Sequence, residues 1–157
     1  MSRYFRRGKT RLWFLPTIAA GTGIPTTTEI IAGTELTGAI NNIKGFSFVA
    51  ELIDTPDMAS PFTSRIPGAD KVDDSNMMIY LDDSANPLRT LLAQDVSGYI
   101  VINDFKTGVP AIADKVDVWK TRITGTAKQY DMASNPALWS PDFAILAPPA
   151  LDCLVLA

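Results

Sequence analysis

Residues 45–80 constrain the fold most strongly, because two alternating apolar runs flank a long polar segment. Every second residue is apolar in the first run, at Phe46, Phe48, Ala50 and Leu52, and in the second, at Met77, Ile79 and Leu81. This period of two predicts β-strands over residues 45–53 and 76–81. The segment 53–75 between them carries three prolines, one glycine and five aspartates. Connections longer than about 12–15 residues are uncommon in compact domains unless they are functional or disordered. The segment holds no catalytic motif, so we expect an interaction loop.

Further alternating runs extend the β pattern along the chain. We predict strands over residues 10–19, 96–104 and 116–127, a short strand or turn within 34–42, and closing strands within 139–156. Tyr99 and Val101 would share one face of a strand, with Ile100 and Ile102 on the other, so this strand should be covered on both sides. Residues 21–28 should form a turn-rich connector. The last apolar run, 151–156, should pair within the fold or with a neighbouring chain.

One helix is predicted, over residues 87–94. Asn86 is a favourable N-cap, and Pro87 suits the first helical position. Leu88, Leu91 and Leu92 recur at helical spacing, and so short a helix needs these side chains to dock on a sheet. Together with six to eight strands, the helix predicts a mainly β fold, an antiparallel sandwich or barrel with one short flanking α-helix.

Length and composition indicate one folded domain over residues 1–157. The chain is 46% hydrophobic and 20% charged, which is typical of a globular protein. Its single cysteine, Cys153, lies in an apolar run and is expected to be a buried, inert thiol rather than a nucleophile. No window approaches the ~20 apolar residues of a membrane span. The basic start followed by an apolar run loosely imitates a secretion signal, but Pro16 interrupts it, so a cytosolic start is expected.

Charge is unevenly distributed along the chain. The first eleven residues carry five basic side chains and no acidic one, and the remainder carries 9 − 17 = −8. A basic arm on an acidic body favours contact with a neighbouring copy, ahead of a frayed terminus and of nucleic-acid binding. Five charges without a folded basic surface make a poor DNA site.

The residue types needed for common catalysis are missing. The chain contains no histidine, which removes the usual general base and the commonest metal ligand. No phosphate-binding or dinucleotide-binding glycine pattern occurs. Asp70, Asp73 and Asp74 do not match the calcium-loop spacing, and Glu51 and Asp54 have no evident sugar-binding cleft. We therefore expect no enzyme activity, no metal site and no cofactor.

The order of several segments carries a resemblance to a known family. These are RGKTRLWFLP at 7–16, PTTTEIIAGTELTGAI at 25–40, GFSFVAELIDTPDMASPFTSRIPG at 45–68 and DSNMMIYLDD at 74–83. ANPLRTLL, SGYIVIND and KTRITGTAKQYDM follow. In this order and spacing the chain resembles the major tail tube proteins of long-tailed, siphovirus-type bacteriophages, over nearly its whole length.

The resemblance implies a β-sandwich or half-barrel subunit with a flanking helix. Such subunits form hexameric rings whose inner strands join into one β-barrel, and the rings stack into the hollow tail tube that delivers the genome. It also implies self-assembly, with the tape measure protein, tail terminator and baseplate initiator as further partners. DNA would pass without specific binding, the site of action would be the virion tail, and assembly would take place in the host bacterial cytoplasm, without a membrane.

Carried onto this chain, the resemblance assigns contacts to two segments. The long loop, residues 53–75, would touch the adjacent ring, through Asp54, Thr55, Pro56, Asp57, Phe62, Thr63, Ser64, Arg65 and Pro67. The basic N-terminal arm, residues 1–9, would add contacts through Arg3, Tyr4, Phe5, Arg6, Arg7 and Lys9.

Two other classes of function remain open from the residues. A tail terminator or head–tail joining protein would also form rings, but would stop at one ring. A small-ligand-binding β-barrel would be monomeric and would need an apolar cavity. The long loop and the charged arm have no evident use in the second case.

Overall fold

The computed structural model describes residues 3–104 and 108–157. The first half contains β1 (Arg11–Leu15), α1 (Thr27–Ala32), β2 (Thr34–Glu35), a 3-10 turn (Thr37–Ala39), β3 (Ile40–Lys44), β4 (Phe48–Thr55), β5 (Ser64–Val72) and β6 (Ser75–Tyr80). The second half contains α2 (Pro87–Leu91), β7 (Ser97–Asn103), β8 (Lys115–Gln129), β9 (Leu138–Ile145) and β10 (Ala150–Leu154).

Eight of the ten strands in the described residues form one antiparallel sheet, in the order β2-β1-β7-β8-β9-β6-β3. Strand β10 lies off this path and pairs with the first part of β8, whereas β9 pairs with the second part. Strands β4 and β5 form a separate two-stranded sheet. The prediction of a mainly β, antiparallel fold is confirmed.

The main sheet is buried on both faces. One face carries a cluster that includes Phe14, Ile100, Trp119 and Trp139, and the other a smaller cluster that includes Val101. Neighbouring residues of one strand therefore enter opposite clusters, as the period of two requires. The predicted double coverage of residues 96–104 is confirmed, because Ile100 and Val101 are both buried.

Helix α1 overlaps the predicted connector 21–28 only at its first two residues, and its presence corrects the expectation of a single helix. Thr26 and Glu29 form a capping box, in which the Thr26 hydroxyl accepts from the Glu29 N–H and the Glu29 carboxylate accepts from the Thr26 N–H. The Glu29 carboxylate also accepts from the Ala19 N–H at 2.8 Å, and this bond, followed by that from the Thr26 N–H, lowers the pKa of Glu29. Ile30 packs into the smaller cluster. The capping-box spacing was the signal in the sequence, but three threonines and one buried side chain left almost no helical periodicity.

Helix α2 is shorter than the predicted 87–94, because it ends at Leu91. Asn86 does not cap it through its side chain: the Asn86 carboxamide oxygen accepts from the Asp82 N–H and its amide donates to the Asp82 carbonyl. Leu92 is fully buried, and Leu88 and Leu91 pack partly buried against the larger cluster.

Several strand boundaries also differ from expectation. Strand β1 stops at Leu15 rather than reaching residue 19, because the next residue is Pro16. The terminal strand pairs with β8, so its edge is used within the subunit. Cys153, in that strand, is half-buried and donates to the Val116 carbonyl at 3.1 Å, and desolvation raises the pKa of its thiol. No helix in the described part of the chain is long and apolar enough to cross a membrane.

Candidate assembly surface

The predicted long loop is wrong as a description of residues 53–75, because most of them belong to strands. Strands β4 and β5 pair from Phe48 opposite Val72 to Thr55 opposite Ser64, leaving only residues 56–63 as the connection. We call β4, β5 and this tip the ribbon. Two residues of β5, Gly68 and Ala69, lie opposite one of β4, which marks a β-bulge. Pro67 and Gly68, which favour a loop in the sequence, lie at this bulge of β5.

The ribbon is exposed on both faces. Leu52 and Ile53 alternate in direction along β4, and their exposed fractions are 57% and 49%. Ile66 on β5 is exposed to the same degree as Ile53. Within the described residues, the ribbon pairs with no strand of the main sheet. A two-stranded hairpin is marginally stable alone, and contiguous exposed apolar surface marks an interaction site. The ribbon is therefore a candidate surface for contact with another protein chain.

Polar residues hold the end of the ribbon together. Arg65 and Asp54 form a salt bridge at 2.7 Å, and the Thr55 and Ser64 hydroxyls lie 2.8 Å apart. Asp57 accepts from the N–H groups of Ala59 and Ser60 at 2.8 and 3.0 Å, which orders the turn. These predicted contact residues thus have partners inside the ribbon.

Other residues of the tip present their side chains to solvent. Met58 is fully exposed and Phe62 is 74% exposed. Pro56, Thr63 and Pro67, the remaining residues predicted in this segment, are exposed as well. The apolar side chains at the tip are therefore presented on an ordered turn, without packing against the body of the subunit.

A strained junction joins the ribbon to the body. Gly45 and Phe46 both have left-handed backbone conformations, with φ of 77° and 51°. The Phe46 N–H donates to the Ser75 hydroxyl at 3.0 Å. The Phe46 ring packs edge-on against Trp119 and tilted against Phe143, with centroid separations of 5.5 and 5.8 Å. The sheet core thus anchors the base of the ribbon through one aromatic side chain.

The basic arm folds back on its own subunit, as far as it is described. Arg6 forms a salt bridge with Asp104 at 3.1 Å, and the Thr10 hydroxyl donates to the same carboxylate at 2.9 Å. The Lys9 ammonium lies over the Tyr4 ring, 5.9 Å from its centroid. Arg3, Phe5 and Arg7 are exposed. Residues 1 and 2 of the predicted arm lie outside the described residues.

A groove separates the arm from the edge strand β3. Its volume is about 720 Å³, and its lining includes Arg6, Arg7, Leu12, Ile40, Ile43 and Tyr80. A smaller cavity of about 230 Å³ adjoins it, since Leu12 and Ile43 line both.

No cluster of three or more potential metal ligands occurs in residues 3–104 and 108–157. Asp117 is half-buried, and desolvation raises the pKa of its carboxyl group, although its oxygen accepts from the Asp152 N–H at 2.7 Å. Glu51 and Asp54 are exposed residues of the ribbon.

One protein-family model matches the whole chain. The model of the phage tail tube protein family matches residues 1–157. No curated protein matches the chain.

Solved structures match across almost the whole chain. A chain from the PVC sheath/tube terminator of an extracellular contractile injection system, in the extended state, aligns with a TM-score of 0.62 and 9% identity, covering 97% of this chain and 99% of that one. A chain from the anti-feeding prophage baseplate aligns with a TM-score of 0.64 and 12% identity, covering 98% and 100%. A chain from the anti-feeding prophage cap aligns with a TM-score of 0.57 and 10% identity, covering 96% and 93%. At these identities the likeness concerns the fold.

Proposed function

The chain belongs to the phage tail tube protein family, and from this premise we propose that its copies form hexameric rings that stack into the hollow tube of a phage tail. The family is a structural component of phage tails. The tube would serve as the conduit for the genome in a long-tailed, siphovirus-type particle. The role is structural, and it calls for no catalytic group or cofactor.

The exposed ribbon is the observation that carries the proposal. It presents apolar side chains on both faces and at its tip, as Leu52, Ile53 and Phe62 illustrate. A monomeric protein would expose this surface to water at a hydrophobic cost of about 25 cal/mol per Å². Assembly covers such surface, and the two free edges of the ribbon can accept strands from other copies.

The charge distribution supports a conduit rather than a DNA-binding surface. Arg6 of the arm is paired with an acidic group of its own subunit, Asp104. The remainder of the chain, after the first eleven residues, carries a net charge of 9 − 17 = −8. Phosphates bind where cations release counterions, so an acidic lumen would let DNA pass without specific binding.

Other tail components complete the proposed setting. We expect the tube to contact a tape measure protein inside it, a baseplate initiator at one end and a tail terminator at the other. Assembly would take place in the host bacterial cytoplasm, and the finished tube would reside in the virion. No membrane takes part in these steps.

Negative-stain electron microscopy of the purified protein over a range of concentrations tests the proposal. The wild-type chain should form hollow, striated tubes. Ile53→Ser, on the ribbon, should shorten or abolish the tubes. Ile31→Ser is the matched control, because this isoleucine is also exposed but lies on α1. It should assemble like the wild type, and circular dichroism should show that both variants are folded.

Other outcomes would identify the competing functions. Single rings at every concentration would favour a terminator or joining protein. Monomers at every concentration would contradict assembly and favour the ligand-binding alternative, in which an added small apolar ligand would raise the melting temperature. Tubes of normal length from Ile53→Ser would contradict the role of the ribbon.

A further inference from the structure

We propose that the tip of the ribbon of one copy docks into the groove between the arm and β3 of the next copy. This inference rests on the proposed self-assembly and assigns both halves of one contact. The tip comprises residues 56–63, and the groove is the cavity of about 720 Å³ described above. The predicted loop contacts and the predicted arm contacts would then belong to the same interface.

The shape and polarity of the tip match those of the groove. Met58 and Phe62 project from an ordered turn, so they can enter a cavity with little loss of backbone entropy. The floor of the groove offers apolar side chains from two strands, Leu12 of β1 and Ile43 of β3. Aromatic anchors in desolvated pockets typically carry much of the energy of an interface.

The charges of the two surfaces are opposite. Residues 54–65 contain two aspartates and one arginine, a net charge of −1. The described arm, residues 3–9, contains three arginines and one lysine, a net charge of +4. Arg6 and Arg7 line the groove, and within the described residues Arg7 has no salt-bridge partner. Charge complementarity of this kind selects the partner and accelerates its association.

The edge of β3 favours inserted side chains over an added strand. The Ile43 N–H is satisfied by the neighbouring Asn42 side-chain oxygen at 2.9 Å. The Asn41 side chain is likewise engaged, since its amide donates to the Tyr80 hydroxyl. A partner strand would have to displace the first of these bonds to pair there. Side chains from a compact tip need no such exchange.

The geometry requires two different copies. The groove lies at the base of the ribbon, because β3 leads directly through Gly45 into β4. The eight residues of β4 carry the tip about 26 Å away at about 3.3 Å per residue. The tip of a copy therefore lies far from its own groove. A contact that joins different patches on two copies is heterologous, and it propagates into rings or open stacks.

Disulfide trapping between two differently labelled copies tests the pairing. One copy carries Gly38→Cys, which lines the groove and has open space around the position of a new Cβ. The other carries Thr63→Cys, beside Phe62. Both are made in a Cys153→Ser background, which retains a donor for the Val116 carbonyl. Met132→Cys replaces Thr63→Cys in the control, because Met132 is exposed like Thr63 but lies outside the ribbon.

Mixing the groove and tip copies should give a covalent heterodimer on a non-reducing gel. It should form at least about tenfold faster than with the Met132→Cys control, because the contact raises the effective concentration of the two thiols. High salt should slow it, and adding Phe62→Ala to the tip copy should reduce the rate further. Each labelled copy alone should remain uncrosslinked.

Electron microscopy of the same samples separates this inference from the proposed function. Tubes without preferential crosslinking would overturn the pairing and leave the tube function standing. A disulfide between two Thr63→Cys copies would also overturn it, because the contact would then be tip to tip. Absence of both assemblies and heterodimers would contradict both proposals.

Discussion

Replacing Gly45 by alanine should destabilise the subunit at the point where the ribbon leaves the body. Gly45 has a φ of 77°, a left-handed conformation that costs other residues roughly 1–2 kcal/mol. An added Cβ would overlap the Asp74 carbonyl oxygen and lie 2.6 Å from the Ser75 Cα. These are backbone atoms, so no side-chain rotation can relieve the overlap. Overpacking of this kind typically costs a further 1–3 kcal/mol, roughly.

The two contributions give an expected loss of about 2–5 kcal/mol, which is a large fraction of the roughly 5–15 kcal/mol that stabilises a typical domain. A backbone shift that relieves the overlap would also disturb the Ser75 hydroxyl. This hydroxyl accepts from the Phe46 N–H and donates to the Asp73 carbonyl at 2.9 Å. Urea denaturation followed by tryptophan fluorescence measures the loss, since Trp119 packs against Phe46.

Gly38→Ala is the matched control for this measurement. Its added Cβ would meet no atom within 4 Å, and its backbone is not left-handed. Replacing this glycine by alanine should leave the free energy of unfolding unchanged or raise it by up to about 1 kcal/mol, because alanine lowers the conformational entropy of the unfolded chain. Equal unfolding free energies for the two alanine variants would refute the strained-junction argument.

Three further predictions concern other parts of the subunit. Thr26→Ala should lose about 1 kcal/mol of unfolding free energy by removing the cap of α1, whereas Thr28→Ala, on the exposed side of that helix, should not. Burial raises the pKa of Asp117, so its contribution to stability is fully present below the ordinary value of 3.8 and is lost as pH rises through the folded-state pKa. Asp117→Asn stays neutral and can still accept from the Asp152 N–H, so it should gain stability over the wild type between acidic and neutral pH; a pH-independent difference in denaturation would contradict this. Phe46→Ala should cost about 2 kcal/mol, below the roughly 3–5 kcal/mol of a fully buried phenylalanine, and should alter Trp119 fluorescence; an unchanged spectrum and midpoint would count against the aromatic anchor.

The main sheet was largely predictable, because its strands obey a simple alternation. Ile100 and Val101 enter different clusters, as their spacing implies, and β6 begins within one residue of the expected position. Helix α1 was missed since its stability comes from a capping box and one buried isoleucine rather than from a helical apolar stripe. Helix propensity and periodicity carry little information over six residues.

The candidate site was harder to predict than the fold. The predicted contact residues 54–67 were taken to lie in a loop, because Pro67 and Gly68 normally interrupt a strand. In the structure, both lie at the β-bulge of β5, a strand that pairs only with β4 within the described residues. The groove was not foreseen at all, since its lining comes from the arm, β1 and β3, which are distant in sequence.

The sequence by itself determined the alternating strands, the absence of histidine-based chemistry and the separation of a basic arm from an acidic body. These are local or compositional properties, and each can be read without knowing which segments meet. Only the tertiary structure decided that residues 48–72 form a ribbon standing apart from the sheet, and that the arm and β3 face each other across a groove. The ribbon leaves the sheet at a left-handed junction at Gly45 and Phe46, and the groove is lined by segments that are distant in the sequence. The free energy of these tertiary contacts depends on which side chains pack together in space. The order of residues along the chain does not specify that packing.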